Sequence, residues 1–431
     1  MRIQMRMAPM SWGRTMESGN LSFIARQPIF DAGYEVFGYE LLFRSGPENY
    51  FIGADGDAAS RKVVSDSLCV HGLEALTAGR TAFVNVTRRV LIDEMYTILP
   101  PECTVLEVLE TIPPDREVIR ACRTARENGY RLALDDFVFD PRYEAFLSEV
   151  DIVKVDWVAT TAVQRLAIKG RAEATGFDVL AEKVETYDDV HEAARLGCRY
   201  FQGFFFCTPE MIATRDIPAV KLNYLRLLDQ INRPAVDVDE LGGIIHCDTG
   251  LSYKLLKYLN SVGFGLRHRV NSIRHAITLL GEKSVRKWAS LIALTSLSED
   301  KPSELCRTSL IRARFCELVG QHTKFRGREL DLFVLGLFSV IDALLDRPME
   351  QIVKDLRIWP EVKSTLLGET TTLSPVFELA LALERGRWDQ VSRLTHRLSL
   401  TDAQIPAAYE SAILWAHGIL PAGPGAADRA A

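Results

Sequence analysis

The stretch TVLEVLETIPPDREVIRACRTARENGYRLALDDF, residues 104–137, decides the fold class of this chain. It places two short runs rich in valine and leucine, TVLEVL and RLALDDF, on either side of an amphipathic stretch from Asp115 to Asn128. The apolar residues of that stretch recur at helical spacing. A strand, a helix and a second strand in this order are typical of a βα unit in a parallel sheet.

The same alternation extends outward from about residue 22 to residue 206. The six further strand-like runs are SFIARQPIF, VFGYELLF, AFVNVT, DIVKVDW, FDVLAE and YFQGFFF. Amphipathic helices are also expected from Ala58 to His71 and from Asp188 to Leu196. Eight strand candidates within this length predict a closed barrel of βα units.

After about residue 215 the strand signals stop, and the chain is predicted to continue as successive helices from soon after Pro218. One helix is expected over residues 249–263 and another over 273–280, each ending at a glycine. The apolar run LFVLGLFSVI, residues 332–341, is half the length of a membrane span and predicts a buried helix. Trp288 and Phe338 are expected in the core of this half.

These signals predict an α/β part followed by an all-α part. The expected boundaries are a disordered tail over 1–20, a (β/α)8 TIM-like barrel over 21–212, a helical domain over 216–418 and a disordered tail over 419–431.

Composition narrows the classes of partner. The chain has 431 residues, 47% of them hydrophobic, and a net charge of −6, so it gives no general reason to expect membrane or nucleic-acid binding. The basic string RHRVNSIRH, residues 267–275, is interpreted as a solvated face because no aromatic residues interleave with it. The eight cysteines show no metal-binding spacing, which favours a reducing, cytoplasmic location.

Polar residues close almost every predicted strand of the first half. In a βα barrel the carboxyl ends of the strands build the reactive face, so these side chains are expected to converge. They are Glu40, Asn85, Glu107, Asp135, Asp136, Lys154, Glu182 and Gln202. The carboxylates among them would repel one another unless divalent cations lay between them, and oxygen ligands suit two Mg²⁺ or Mn²⁺ ions. A single acid at a strand end is more often a helix cap or a solvated loop residue, but that interpretation does not account for the whole series.

The strings resemble, in order, the motifs of the EAL family of cyclic di-GMP phosphodiesterases over roughly Ser22 to Pro209. RQPIFD is similar to the family's opening strand, YELLFR to its EAL signature with Leu41 where alanine is usual, and FVNVT to the strand with its metal-binding asparagine. EVLE resembles the ExxE pair, LDDF the double aspartate and VKVD the lysine strand. AEKVET resembles AEGVET, and QGFFF resembles the closing motif.

The resemblance implies metal-assisted hydrolysis of one phosphodiester bond of cyclic di-GMP, giving the linear dinucleotide. It implies two metal ions, one held by Glu40, Asn85, Glu107 and Asp135, and the other by Asp135, Asp136 and Glu182. The catalytic set implied is Glu40, Asp136, Lys154 and Glu182, with Lys154 orienting or helping to deprotonate the attacking water.

Four further residues receive roles from the resemblance. Arg44 is expected to hold a substrate phosphate, a task suited to a guanidinium fork, and Gln202 is expected to complete the substrate site. Glu110 and Glu185 would support the metal ligands. The resemblance also implies a dimer formed through the barrel.

Two departures from the family pattern bear on activity. DDFVFDP stands where the family has DDFGTG, so bulky residues replace glycines in the loop after the double aspartate. Lys183 replaces the glycine of AEGVE, where it is expected either to crowd the site or to contact a phosphate.

Residues from about Lys221 to Gly418 resemble the HDOD domain, a relative of HD hydrolases without their metal site. His246 and Asp248 are separated by one residue, so the adjacent His-Asp ligands of an HD hydrolase are missing and no catalysis is expected here. This half is expected to regulate the barrel or to bind a protein partner that the sequence does not identify.

Three functions remain as alternatives. The retained site residues favour a phosphodiesterase, whereas the altered loop favours a receptor that binds cyclic di-GMP without efficient turnover. A barrel that serves only in protein interaction is disfavoured, because clustered carboxylates without a bound ion destabilise a fold.

Overall fold

The structure is a computed structural model that describes residues 22–45, 73–135, 137, 143–207, 219–233, 237–246, 251, 255, 277–278, 281–298, 301–356 and 358–420. Its first part is a closed barrel of eight strands in sequential order. The strands are β1 (Ser22–Asp31), β2 (Val36–Ser45), β3 (Thr81–Val86), β4 (Thr104–Val108), β5 (Arg131–Leu134), β6 (Ile152–Asp156), β7 (Asp178–Glu182) and β8 (Tyr200–Gln202). Each lies within one of the predicted runs, or extends it by one or two residues, and the barrel prediction is confirmed.

The first strand departs from the predicted parallel alternation. β1 runs antiparallel to both β2 and β8, whereas the pairs from β2 to β8 are parallel. The reason lies in the connection, because only residues 32–35 join β1 to β2 and a parallel crossover needs a dozen residues or more. The chain therefore enters the barrel through a hairpin, and the N-terminal end of β1 lies at the rim formed by the C-terminal ends of the other strands.

Helices connect the parallel strands. They are α1 (Leu73–Thr77), α2 (Arg88–Ile92), α3 (Arg116–Glu127), α4 (Glu144–Leu147), α5 (Ala162–Thr175) and α6 (Tyr187–Arg195). The predicted helices at 115–128 and 188–196 are confirmed as α3 and α6, and the Asp115 side chain caps α3 by accepting from two backbone amides. The helix predicted over 58–71 lies outside the described residues.

One layer of apolar side chains fills the barrel interior. Its members are Ile29, Phe83, Val105, Ala133, Ile152, Leu180 and Tyr200, one each from β1 and from β3 to β8. Because side chains alternate across a strand, the residue two positions further toward the rim faces the same interior. The next interior layer is therefore fixed by the register of this apolar one.

The second part of the chain is helical. Its helices are α7 (Ala219–Ile231), α8 (Val238–His246), α9 (Glu282–Leu297), α10 (Ser303–Gln321), α11 (Glu329–Phe338), α12 (Ile341–Leu345), α13 (Met349–Asp355), α14 (Pro360–Leu366), α15 (Ser374–Glu384), α16 (Trp388–Arg397) and α17 (Gln404–Ile419). The run predicted as one buried helix over 332–341 is buried, but α11 ends at Phe338 and α12 follows. Trp288 and Phe338 are core residues, as predicted.

Several predictions for this half fall on residues outside the described ranges. The basic string at 267–275, Asp248 and most of the helix over 273–280 lie there. Of the helix predicted over 249–263, only Leu251 and Leu255 are described, and both are buried. None of the helices in the described part of the chain combines the length and apolar character needed to cross a bilayer.

The helical part packs against the outside of the first two strands. Tyr39 on β2 donates a hydrogen bond of 2.7 Å to Glu304 on α10, and both residues are buried. The Arg26 guanidinium lies 4.4 Å from the centre of the Tyr39 ring and 3.9 Å from Glu304 Oε1. Buried charges need partners, so this cluster fixes how the two parts meet.

Candidate active site

The layer above the apolar residues of the barrel is polar on every strand that contributes to it. From β3 to β8, the residue two positions beyond each interior apolar residue is Asn85, Glu107, Asp135, Lys154, Glu182 and Gln202. Glu40 on β2 pairs in register with Phe83, and Gln27 on β1 pairs with Glu40. The structure therefore brings together seven of the residues predicted for the site, in one ring at the C-terminal rim.

Lys154 lies at the centre of this ring. Its Nζ is 2.8 Å from Glu107 Oε1, 2.8 Å from Asp135 Oδ1, 2.9 Å from Glu182 Oε1 and 3.4 Å from Glu40 Oε2. The lysine is fully buried, and the carboxylates are buried or nearly so. One ammonium group thus faces four acids, which would leave a large negative excess if all of them were ionised.

Burial and crowding change the protonation of these groups. Burial by itself would lower the pKa of Lys154, but the surrounding carboxylates, Glu107 foremost, raise it well above the usual lysine value. Burial, together with the charge of Glu40, raises the pKa of Glu107 well above that of an ordinary glutamate. Burial also raises the pKa of Glu182 to about 8, although Lys154 opposes the shift. The lysine is therefore charged at neutral pH, and the cluster carries fewer negative charges than it has carboxylates.

Two amides orient the Glu40 carboxylate. Asn85 Nδ2 donates to Glu40 Oε1 at 3.3 Å, and Gln202 Nε2 donates to Glu40 Oε2 at 2.6 Å. The Gln202 side chain is itself buried. Both Glu40 oxygens are thus held by donors before any ligand binds, one from the adjacent β3 and one from β8 across β1.

The donor set suits a hard divalent cation. It consists of carboxylate and amide oxygens. Four buried oxygens of the ring have no hydrogen-bond partner among the residues that the structure describes, namely Asn85 Oδ1, Glu107 Oε2, Glu182 Oε2 and Gln202 Oε1. Within the described ranges, no group of three His, Cys, Asp or Glu side chains is arranged to bind a metal ion directly. In the ring, Lys154 Nζ occupies the space between the carboxylates. The residues present fit a cation of the magnesium type, whose charge would relieve the negative excess.

Some predicted site residues lie outside the described ranges, and two others are described but lie outside the ring. Asp136, the side chain of Arg44 and residues 138–141 of the altered loop lie outside the described part of the chain. The side chains of Glu110 and Glu185 are exposed rather than within the buried ring. Glu110 accepts a hydrogen bond of 2.8 Å from the Tyr143 hydroxyl through its backbone carbonyl, next to the altered loop.

Lys183 adopts a left-handed backbone conformation with φ of 56°, which explains why glycine suits this position. Its Nζ pairs with Asp156 Oδ2 at 2.5 Å, and more than half of its side chain is exposed. Although burial would raise it, hydrogen bonds from Lys183 and two backbone amides lower the pKa of Asp156. The lysine ammonium is therefore directed to the end of β6 rather than into the carboxylate ring.

Gln27 belongs to the site although the sequence patterns assign it no role within the motif RQPIFD. Gln27 Oε1 accepts a hydrogen bond of 3.1 Å from Gln202 Nε2, the same group that binds Glu40. The alternation of side chains along β1 could have identified it, because Gln27 is two residues from the interior Ile29 and so faces the same interior. Since β1 runs antiparallel to β2, the residue nearer the rim is the one that precedes Ile29.

Comparison with known proteins matches both halves of the chain to families. A model of the EAL domain matches residues 84–209, and a model of the HDOD domain matches residues 217–346. The protein YuxH of Bacillus subtilis is 35% identical over 408 residues, which cover 93% of this chain and 99% of YuxH. The cyclic di-GMP phosphodiesterase CdgJ of Vibrio cholerae is 36% identical over 375 residues, which cover 86% of this chain and 87% of CdgJ.

Solved structures also match this chain. The YkuI protein of Bacillus subtilis, in complex with cyclic di-GMP and calcium, is 20% identical, with a TM-score of 0.37 over 55% of this chain and 73% of YkuI. BlrP1 of Klebsiella pneumoniae, in a calcium and cyclic di-GMP complex, is 22% identical, with a TM-score of 0.37 over 44% of this chain and 57% of BlrP1.

Proposed function

Because the chain belongs to the family of EAL-domain proteins that also carry an HDOD domain, we propose that it hydrolyses cyclic di-GMP to the linear dinucleotide. The observation that carries the proposal is the convergence of Glu40, Glu107, Asp135 and Glu182 on one buried point. The relative CdgJ, which aligns over most of both chains, is a cyclic di-GMP phosphodiesterase. In this proposal the helical half has no catalytic role and regulates the barrel or binds a protein partner.

We assign the metal ligands residue by residue. Glu40, Asn85, Glu107 and Asp135 would hold one cation, and Asp135, Asp136 and Glu182 the other. Oxygen-only ligands favour Mg²⁺ or Mn²⁺. When bound, two such cations supply the positive charge that activates water near neutral pH and stabilises the leaving oxygen.

The other side chains bind and orient. The surrounding carboxylates raise the pKa of Lys154 when no cation is bound. In this proposal the lysine orients the attacking water or helps to deprotonate it. Asn85 and Gln202 hold Glu40 in one orientation. Arg44 would bind a phosphate of the dinucleotide, and Gln202 would contact the substrate once it is bound.

Three assignments remain predictions that no described contact tests. They are a dimer formed through the barrel, a cytoplasmic location and the protein partner of the helical half. Supporting roles for Glu110 and Glu185 are also still predictions.

The test is turnover by the purified full-length chain. We expect cyclic di-GMP incubated with Mn²⁺ or Mg²⁺ to be converted to the linear dinucleotide, as separated by chromatography. Glu40→Ala and Asp135→Asn are each expected to lower the rate at least about 100-fold, as loss of a charge-stabilising group typically does. Asp188→Asn, on the exposed first turn of α6, is the matched control and is expected to leave the rate unchanged.

The outcomes separate the alternatives. Absence of product from metal-loaded protein would reject the phosphodiesterase. Calorimetric binding of cyclic di-GMP without product would then favour the receptor, and absence of binding would reject both.

A further inference from the structure

The end of helix α15 lies at the rim of the barrel, next to the polar ring. The Glu384 backbone carbonyl, at the last residue of α15, accepts a hydrogen bond of 3.3 Å from Gln27 Nε2. The last carbonyls of a helix have no partner within the helix, so Glu384 needs an outside donor. The Arg385 guanidinium lies 5.2 Å from the centre of the Phe204 ring, two residues after Gln202.

The polarity of this contact determines the orientation of two side-chain amides. A backbone carbonyl only accepts hydrogen bonds, so Gln27 must turn its NH₂ group toward Glu384 and its oxygen toward Gln202. Gln202 must then turn its NH₂ group toward Gln27, and that same group donates to Glu40 at 2.6 Å. A carbonyl in the helical half thus selects the amide orientation that supplies a donor to Glu40.

The alternative orientation is unfavourable because it places oxygen against oxygen. If Gln27 flipped, its carbonyl oxygen would face the Glu384 carbonyl and its NH₂ group would face the Gln202 NH₂ group. If Gln202 then flipped as well, its oxygen would face the Glu40 carboxylate. The three hydrogen bonds, from Gln27 to Glu384, from Gln202 to Gln27 and from Gln202 to Glu40, therefore form together in only one combination of amide orientations.

The helical half holds the carbonyl in place through a buried ion pair. The Glu384 carboxylate accepts from Arg312 Nε at 2.9 Å and from Arg312 Nη2 at 2.8 Å, while Arg312 Nη1 donates to Ser339 Oγ at 3.0 Å. Gly386 packs closely on the barrel, since a Cβ atom there would lie 3.1 Å from Leu42 Cδ1. The position of the α15 end thus depends on the packing of α10, α11 and the first two strands.

We propose that Gln27 is a positioning residue that couples the packing of the helical half to the orientation of Glu40. The coupling runs from the Glu384 carbonyl through the amides of Gln27 and Gln202 to a proposed metal ligand. This coupling would regulate the proposed active site, and its effect on turnover rests on the proposed function. A rearrangement of the helices that withdraws α15 would remove the acceptor that selects this pair of amide orientations, without changing any site residue.

The experiment is a double-mutant cycle in the full-length chain. Gln27→Met removes both hydrogen bonds at similar side-chain length. Gly386→Ala displaces the α15 end, because φ at this position is +62° and an added Cβ would also lie 3.1 Å from Leu42 Cδ1. Gln351→Met, at an exposed position on α13, is the matched control. Thermal unfolding of each variant establishes that it is folded.

Mn²⁺ affinity, measured by electron paramagnetic resonance of the free ion, gives a readout that does not depend on turnover. Loss of a residue that orients a metal ligand typically costs about 10- to 100-fold in metal affinity, so we expect about 10-fold for Gln27→Met. At subsaturating Mn²⁺ the turnover should fall by a similar factor and recover at saturating Mn²⁺. Gly386→Ala is expected to weaken Mn²⁺ binding several-fold alone and to add nothing in the Gln27→Met background.

Two results would overturn the inference. One is Mn²⁺ affinity of Gln27→Met equal to that of the wild type and of the control. The other is multiplication of the two effects in the double variant, which would mean that they act independently. A wild type that binds Mn²⁺ but forms no product would reject the proposed function, while the affinity cycle would still decide whether Gln27 couples the two parts.

Discussion

Replacement of Lys154 by methionine is expected to make the stability of the barrel dependent on metal. The lysine is fully buried, with four carboxylate oxygens between 2.8 and 3.4 Å from its Nζ. At such distances and an effective dielectric constant of about 20, each pair contributes roughly 5 kcal/mol of attraction, largely offset by desolvation. Removal of one partner from a buried ionic cluster typically costs about 3–5 kcal/mol.

The pH dependence of this loss has a definite sign. Without the lysine, more of the carboxyl groups must stay protonated in the folded state, so their pKa values rise above the unfolded value. Their stability contribution is then complete below the unfolded pKa and is lost as the pH rises. Keeping one glutamate neutral costs about 3.7 kcal/mol at pH 7 but about 1 kcal/mol at pH 5. We therefore expect Lys154→Met to lose about 3–5 kcal/mol at pH 7 and at most about 2 kcal/mol at pH 5.

Urea unfolding at both pH values, with and without Mn²⁺, measures the effect. A cation that binds only the folded state at about 1,000 times its dissociation constant stabilises it by about 4 kcal/mol, enough to restore Lys154→Met. Because the lysine no longer competes for the carboxylates, Mn²⁺ should stabilise the variant more than the wild type. Lys169→Met, on the surface of α5, is the control. Unfolding of Lys154→Met at wild-type urea concentrations at pH 7, or equal stabilisation of both proteins by Mn²⁺, would refute the reasoning.

Three smaller perturbations test other parts of the structure. Burial and two neighbouring arginines lower the pKa of the half-buried His417 to about 4, so the folded state loses stability as the pH falls below about 6.5. His417→Gln should remove about 1 kcal/mol of the stability difference between pH 7 and pH 5 in urea unfolding, after allowance for solvent screening, and an unchanged difference would contradict this. Lys183→Gly should be about 1 kcal/mol more stable than Lys183→Ala because φ is positive there, and the reverse order in thermal melts would contradict the assigned backbone. Gly203→Ala should cost about 3 kcal/mol or more because a Cβ would overlap the adjacent backbone, whereas Gly170→Ala on α5 should not destabilise; equal melting temperatures would mean that the turn at Gly203 accepts a side chain.

The barrel could be predicted from sequence because each strand is a short apolar run with a polar residue at its end. The antiparallel entry of β1 was missed, although the short connection over residues 32–35 excludes a parallel crossover. The convergence of Glu107, Asp135 and Lys154 followed from their positions at strand ends, which a barrel brings to one rim.

The roles of Gln27, Lys154 and Lys183 depend on tertiary contacts that local sequence patterns do not predict. Gln27 and Glu384 are 357 positions apart, and the role of the glutamine appears only once α15 is packed on the rim. The central position of Lys154 also depends on the mutual approach of four strands, and periodicity alone gives the face of a strand rather than the distance between side chains. The left-handed conformation of Lys183 shows why glycine suits that position, but the sequence does not reveal where the ammonium is directed.

An anomalous difference map from crystals of the full-length chain soaked in Mn²⁺ tests the central claim most directly. We predict two manganese peaks within the ring formed by Glu40, Asn85, Glu107, Asp135 and Glu182, with Lys154 Nζ displaced from the centre of the carboxylates. A ring that stays free of manganese at saturating concentrations, with Lys154 still between the carboxylates, would contradict it.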